Sequence, residues 1–190
     1  MPVGYFGAIV PLVVPDDAAL TVHNIAASPT VYLAGLVAIS VVIVLDLGVA
    51  VAWFWLFSSV DPRLSAVAAW LRVVYTALFA VAAAQLAIAF VGRDEPERAL
   101  SAINAFSAMW LSSLGIFGMH LLVIGYLAIR ASFIAPTFGI LLAISGVGYI
   151  TDAVGVIFDM DLLVTFGSVG FVGEVAMIVW LFARGRTLAG

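Results

Sequence analysis

Two residue types are missing from this chain of 190 residues. Without cysteine there is no disulfide bond and no thiolate metal site, and no residue indicates whether the compartment is oxidising or reducing. Without lysine, the permanent positive charge comes from 7 scattered arginines. Nucleic-acid-binding domains cluster lysine and arginine on one surface, so the composition excludes a nucleic-acid partner.

Charge of either sign is also scarce. Asp, Glu, Lys and Arg make up 9% of the residues, whereas soluble domains carry about a quarter. Hydrophobic residues make up 65%, and the mean hydropathy is +1.26. Such a chain needs lipid around it, so the bilayer is its first expected partner. The GxSxG, HExxH, P-loop and dinucleotide motifs are absent, so soluble-type hydrolase or nucleotide chemistry has no support.

Long apolar runs are what the sequence has in abundance. A helix needs about 20 residues to cross roughly 30 Å of hydrocarbon, and five runs reach that length. We therefore predict an all-α fold, a polytopic transmembrane helix bundle with five spans over residues 31–190. Pro62 is suited to begin the second span. The predicted spans are Val31–Phe57, Ser65–Val91, Asn104–Ile129, Ile134–Ile157 and Leu162–Ala183.

Residues 1–30 do not fit the spanning pattern. Their apolar start, Val3–Val14, is interrupted by proline, is too short to cross a bilayer and lacks the basic residues of a signal peptide. Asp16 or Asp17 can cap a short helix that runs through Asn24, because a side-chain oxygen there accepts from free amides of the first turn. We predict a small external helix that lies on the bundle.

Arginine placement predicts the orientation. When the spans alternate, one side receives Arg63, Arg130, Arg184 and Arg186, and the other receives two arginines diluted by five acids. Cytoplasmic loops carry an excess of positive residues, so the C-terminus is expected inside and the N-terminus outside. Arginine without lysine, with much Ala, Val and Gly, is typical of a GC-rich prokaryote. The expected location is therefore a prokaryotic cytoplasmic (inner) membrane.

Four ionisable side chains interrupt the apolar runs at one depth. With a rise of 1.5 Å per residue, each lies about 14–16 Å from the predicted cytoplasmic end of its span. A charge at the centre of a membrane helix costs about 2.5–3.5 kcal/mol, so such residues face each other or a polar cavity. We predict a ligand or proton site in which Arg72 pairs with one acid and His120 with the other. The four residues are Asp46, Arg72, His120 and Glu174.

Other interpretations of these residues stay open. The polar contacts could serve only to hold the helices together. A zinc site would need three or four protein ligands, which the nearby Arg72 opposes, and a bis-histidine haem would need His23, which we place outside the membrane. We therefore expect no metal and no cofactor.

The fourth span offers further candidates. Ser145, Tyr149 and Asp152 share one helix face, and Asp152 either lines an outward-facing mouth or reaches into the external interface. The secondary site candidates are Tyr75, Tyr149 and Asp152. Glycines on this span, including Gly139 and Gly146, are expected to allow close helix packing.

Three stretches resemble one known family. They begin at Val13, Leu56 and Gly118 and read VVPDDAALTVHNIAAS, LFSSVDPRLSAVAAWLRVVYTAL and GMHLLVIGYLAIRASFIAPTFGILLAISGVGYITD. They are similar to the prokaryotic membrane family catalogued as domain of unknown function 4386. The resemblance implies the fold and brings no assigned activity. The positions that match the family pattern are Asp17, Thr21, Asn24, Arg72, His120, Gly125, Pro136, Gly139, Gly148 and Tyr149.

The chain departs from that family in two places. Family members begin with a further hydrophobic helix, of which only the stretch Val3–Val14 is present here, so either this chain starts late or it has lost that span. The basic residue usual after the motif proline is Thr137 here, which weakens the case for an anionic headgroup at that loop.

Three functions follow from these observations. The first is a non-enzymatic membrane protein that binds or moves a small molecule or a proton at the polar centre. The second is an accessory or structural subunit of a membrane complex. The third is an intramembrane enzyme that uses His120 and a carboxylate as acid and base. A transporter with five spans would need to dimerise, so the expected protein partner is a second copy or another membrane protein.

Overall fold

The computed structural model describes residues 2–158 together with positions 160, 175, 177 and 179. In this part of the chain all regular secondary structure is helical, and there is no strand. It begins with a π-helix, Pro2–Ile9, and a 3-10 turn, Val10–Leu12. Five α-helices follow, which are α1, Ala18–Ala27; α2, Pro29–Phe57; α3, Pro62–Val91; α4, Pro96–Arg130; and α5, Pro136–Ile157.

Four of these helices are long and apolar enough to cross a membrane, and they coincide with the first four predicted spans. Helices α2, α3 and α5 end at the predicted residues. Helix α4 begins at Pro96, eight residues before the predicted Asn104. The fifth predicted span, Leu162–Ala183, lies outside the described residues apart from positions 175, 177 and 179. The architecture is that of a membrane helix bundle.

The start of each long helix follows from one residue type. All four begin with proline, at Pro29, Pro62, Pro96 and Pro136. Proline suits the first helical position because its missing N–H would have no partner within the helix there. At α3 the preceding residue completes the cap, since Asp61 Oδ1 accepts from the amides of Arg63 and Leu64 at 3.0 Å each.

The long helices differ in how much of their apolar surface is covered. Only 17% of the most apolar window of α2 is buried, whereas 56% of that of α4 is buried. On α2, Val44 is 67% exposed and Trp55 is 70% exposed. Apolar side chains left open on a long helix are suited to hydrocarbon, and a tryptophan near the helix end is suited to the membrane interface.

The chain divides into two compact units. The first consists of Met1–Asp46 and Thr76–Trp110. The second consists of Leu47–Tyr75 and the described part of the chain from Leu111 onward.

In the first unit the N-terminal π-helix packs against α2 and α4. A Cβ atom on Gly35 would lie 2.8 Å from the Gly4 carbonyl oxygen, so the two backbones are in close contact. The Tyr5 hydroxyl lies 2.9 Å from Ser107 Oγ. Ser107 stands eleven residues into α4, which is about 16 Å along the helix. The short apolar start of the chain therefore lies beside these helices.

In the second unit α4 and α5 are joined through two glycine pairs. A Cβ on Gly118 would lie 2.5 Å from the Gly146 carbonyl oxygen, and a Cβ on Gly139 would lie 2.5 Å from that of Gly125. The predicted role of Gly139 and Gly146 in close packing is confirmed. The two levels are seven residues apart on both helices, so the contact holds an antiparallel register.

Candidate functional site

The candidate site in the second unit is built from one face of each of α3, α4 and α5. Ala68, Arg72 and Tyr75 follow each other at spacings of four and three residues, which places them on one side of α3. Phe117 and His120 are three residues apart on α4 and share a face for the same reason. Helices α3, α4 and α5 thus each supply side chains to the site, from segments that are far apart in the sequence.

His120 is completely buried, and its first ring nitrogen is held by the backbone of α3. Its Nδ1 atom lies 2.8 Å from the carbonyl oxygen of Ala68, and the residue is 0% exposed. A carbonyl can only accept, so Nδ1 carries the hydrogen and donates it. The same carbonyl can still serve the helix, because an oxygen has two lone pairs.

The second ring nitrogen faces a guanidinium group. Arg72 Nη1 lies 3.3 Å from His120 Nε2. Arginine has only donors, so Nε2 accepts this bond with its lone pair. Both contacts are satisfied together by the neutral imidazole that is protonated on Nδ1 and not on Nε2. The geometry therefore fixes one tautomer of a fully buried histidine.

Phe117 lies at the centre of the aromatic part of the site. Its ring is 5.3 Å from Cζ of Arg72 and is stacked on His120 at 5.8 Å between centroids. Tyr75 approaches the same ring to 4.9 Å and Tyr149 to 5.5 Å. A cation over a ring face is attracted by the ring quadrupole, more strongly where water is excluded. Phe117 thus links the two polar residues to α5.

Helix α5 brings further polar groups into the second unit. Ser145 is 1% exposed and Asp152 is 6% exposed, and both share a helix face with Tyr149. The Ser145 hydroxyl donates to the carbonyl of Leu141 at 2.9 Å. Asp152 is thus buried in protein and does not reach into the external interface, which was one of its two predicted positions. A buried carboxylate in a membrane helix is a functional candidate by its cost alone.

Among the described residues of the second unit, the structure brings together two members of the predicted polar centre. Arg72 and His120 are in direct contact. Asp46 belongs to the first unit, and Glu174 lies outside the described residues. The predicted contact of Arg72 with a carboxylate stays a prediction. The predicted pairing of His120 with an acid also stays a prediction; among the described residues its ring nitrogens contact the Ala68 carbonyl and the Arg72 guanidinium.

Sequence reasoning missed Phe117 and the Ala68 carbonyl. Phe117 had a usable signal, since it precedes His120 by three residues and must share its face. The carbonyl had none, because every residue carries one and the sequence does not show which of them meets a neighbouring side chain.

The three residues of the N-terminal motif make contacts within their own segment. Asp17 caps α1 by accepting from the amide of Leu20 at 2.8 Å, as predicted for a cap at this position. Thr21 Oγ1 accepts from the amide of Val14 at 2.9 Å and lies 3.1 Å from the carbonyl oxygen of the same residue. These contacts tie the preceding loop to α1, and the Asn24 amide adds a bond to the Leu12 carbonyl at 3.3 Å. They position the segment, and the site role predicted for these side chains stays a prediction.

Comparison with known proteins shows the family of this chain. The family model described as "Domain of unknown function (DUF4386)" matches residues 1–185. The chain belongs to this family. The DUF4386 chain is also 30% identical over 161 residues to a protein of Archaeoglobus fulgidus described as "Uncharacterized protein". The aligned region covers 85% of this chain and 88% of the relative. No solved structure matches the chain. The family confirms the predicted resemblance and assigns no chemistry to the site.

The site places a buried imidazole and a guanidinium in direct contact. In the described part of the chain no group of three or more His, Cys, Asp or Glu side chains is placed to hold a metal ion. The chemistry that the described residues support is therefore that of Arg72 and His120, with Asp152 as a further buried acid.

Proposed function

We propose that this DUF4386 protein binds or moves a small molecule or a proton inside the membrane at the centre formed by Arg72 and His120, and that its primary action is to carry protons through this centre. The observation that carries the proposal is the fixed tautomer of His120. Its Nε2 lone pair is turned to Arg72 at 3.3 Å and is the one unprotonated ring position. Histidine is the side chain most often used as a proton switch near neutral pH.

The alternative, that the pair only holds helices together, is energetically weaker. Interhelical polar contacts in membranes stabilise by about 0.6 kcal/mol on average and up to roughly 1.7 kcal/mol. Placing an arginine near the centre of a span costs about 2.5–3.5 kcal/mol by insertion scales. A contact chosen for stability alone would therefore dispense with the charge, whereas a functional site requires it.

The geometry suggests how proton binding is coupled to movement. A proton on Nε2 would place an imidazolium N–H against the Arg72 N–H, so two cations and two donors would face each other. Proton uptake therefore requires the guanidinium to move away from Nε2, and proton release lets it return. The bond from Nδ1 to Ala68 does not change in this exchange, because Nδ1 remains the donor throughout. Arg72 in this scheme is an internal cation that competes with the proton.

The wider setting is part of the proposal. We propose a prokaryotic cytoplasmic membrane, with the N-terminus outside and the C-terminus inside, on the arginine distribution described above. A second candidate function, an accessory subunit of a membrane complex, is supported by the low burial of α2, 17% in its most apolar window. Copurification of another membrane protein in fixed ratio would favour it. An acid–base enzyme has no support from His120, because neither of its hydrogen-bond partners is a carboxylate.

Proton transfer can be tested in liposomes that contain a trapped pH dye. Under an imposed membrane potential, the wild-type protein should acidify the interior faster than protein-free liposomes. His120→Gln should reduce the rate to that of protein-free liposomes, while its thermal unfolding in detergent changes little. His23→Gln is the matched control, since it makes the same chemical change at the other, exposed histidine. Equal rates for wild type and His120→Gln would refute the proposal, as would a wild-type rate no higher than that of empty liposomes.

A further inference from the structure

A groove in the first unit lies where α3 ends and α4 begins. Its volume is about 550 Å³, within the range of roughly 300–1,000 Å³ that is usual for small-ligand sites. The residues that line it fall into an apolar part from the last turns of α3 and a charged part from the connection and the first turn of α4. They include Ile88, Val91, Asp94, Glu95 and Arg98.

The apolar part belongs to a membrane-spanning helix. Ile88 is 44% exposed and Val91 is 78% exposed, the highest value among the large hydrophobic residues of the described chain. Val91 is also the last residue of α3. A hydrocarbon chain that lies along the end of α3 would cover both side chains, and burial of apolar area is favourable at about 25 cal/mol per Å².

The charged part carries both signs. Arg98 Nη1 lies 3.4 Å from Glu95 Oε1, and both side chains are largely exposed. Asp94 adds a second carboxylate to the lining, so this part of the groove has one guanidinium and two carboxylates. A zwitterionic group complements this set when its phosphate lies toward Arg98 and its ammonium lies toward the acids. A guanidinium binds phosphate well, and carboxylates accept hydrogen bonds from a primary ammonium.

We infer that this groove binds one phospholipid with a primary ammonium headgroup, of the phosphatidylethanolamine type. The acyl chain lies along Ile88 and Val91, and the headgroup lies among Asp94, Glu95 and Arg98. The primary ammonium matters because it has N–H donors, which the trimethylated ammonium of phosphatidylcholine lacks. The inference is independent of the proposed proton site, because it concerns residues of the first unit alone.

Native mass spectrometry of the purified full chain tests this inference. After equilibration with equal amounts of phosphatidylethanolamine and phosphatidylcholine in mild detergent, the protein should retain more of the former. Asp94→Asn should lower that preference about threefold, the size expected for one exposed charged contact. Glu97→Gln is the matched control, because Glu97 is an exposed acid three residues after Asp94, in the first turn of α4, that does not line the groove. It should leave the preference unchanged.

A second variant and a soluble competitor complete the test. Val91→Ser should reduce the retention of both lipids, since it removes apolar surface that either acyl chain would cover. Glycerophosphoethanolamine, the same headgroup without acyl chains, should fail to displace the lipid. The inference is overturned if the wild type shows no preference, if Glu97→Gln loses as much preference as Asp94→Asn, if Val91→Ser retains both lipids fully, or if the soluble headgroup competes as well as the lipid.

Discussion

Gly139→Ala is the substitution whose effect on stability the structure specifies most closely. The new Cβ would lie 2.5 Å from the carbonyl oxygen of Gly125, 2.7 Å from Cγ1 of Ile129 and 2.9 Å from its backbone nitrogen. Favourable contacts between heavy atoms begin near 3.5 Å, so α4 and α5 would have to separate by about 1 Å at this level. Two of the three atoms belong to the backbone, so a rotamer change cannot relieve the clash.

The expected cost is about 1–3 kcal/mol of unfolding free energy, as for other overpacked interiors. The assay is equilibrium unfolding in mixed micelles of a mild detergent and a denaturing one, followed by the loss of helical circular dichroism. The control is Gly48→Ala on α2, where no atom lies within 4 Å of the added Cβ. Alanine there should stabilise the helix by about 0.5–1 kcal/mol, because glycine is the poorer helix former. If Gly139→Ala is as stable as Gly48→Ala, the close contact between α4 and α5 is refuted.

Three further predictions concern other parts of the chain. Asp61→Ala should cost about 1 kcal/mol of unfolding free energy in the same assay, because it removes the cap of α3. Asp61→Asn keeps a capping oxygen and should cost much less. An equal loss for both variants would contradict the capping role. A double-mutant cycle can combine Arg72→Gln with Asp46→Asn or with Glu174→Gln. For one of the two acids the coupling energy should be about 1 kcal/mol or more, because an unpaired guanidinium in hydrocarbon is costly. Coupling near zero for both acids would show that no carboxylate pairs with Arg72. Reporter fusions after Gly190 and within residues 93–98 should report opposite sides of the membrane, with the C-terminal fusion cytoplasmic; the five-span topology is wrong if both report the same side.

Helix ends were predictable here to the extent that proline and polarity marked them. The predicted ends at Phe57, Val91 and Ile157 match the structure. The start of α4 was missed because the polar stretch from Arg93 to Arg98 was interpreted as a connection. In the structure α4 begins within that stretch, at Pro96. A first helical turn tolerates acids and proline, because its amides are free and its dipole end is positive.

The depth of the site residues along their helices was predictable, but the direction in which each side chain points was not. The rise per residue places Arg72 and His120 at similar depths, and the structure places them in contact at 3.3 Å. Depth does not determine how far each helix is rotated about its own axis, which depends on the packing of whole helix faces. The bond from His120 to the Ala68 carbonyl depends on that rotation. This is why the Ala68 carbonyl was not predicted as a partner of His120, although the depth of His120 was predicted usefully.

The two glycine pairs have a mechanical consequence for His120. Two contact points about 10 Å apart fix both the position and the direction of α4 against α5, because two points determine a line. His120 lies on α4 between the levels of Gly118 and Gly125, so the segment closely packed on α5 carries its imidazole. The close packing holds the backbone beneath Nε2 in place against α5. Any change in the distance between Arg72 and His120 must therefore come from the arginine side chain or from α3, which makes the flexible side chain of Arg72 the working part of the pair.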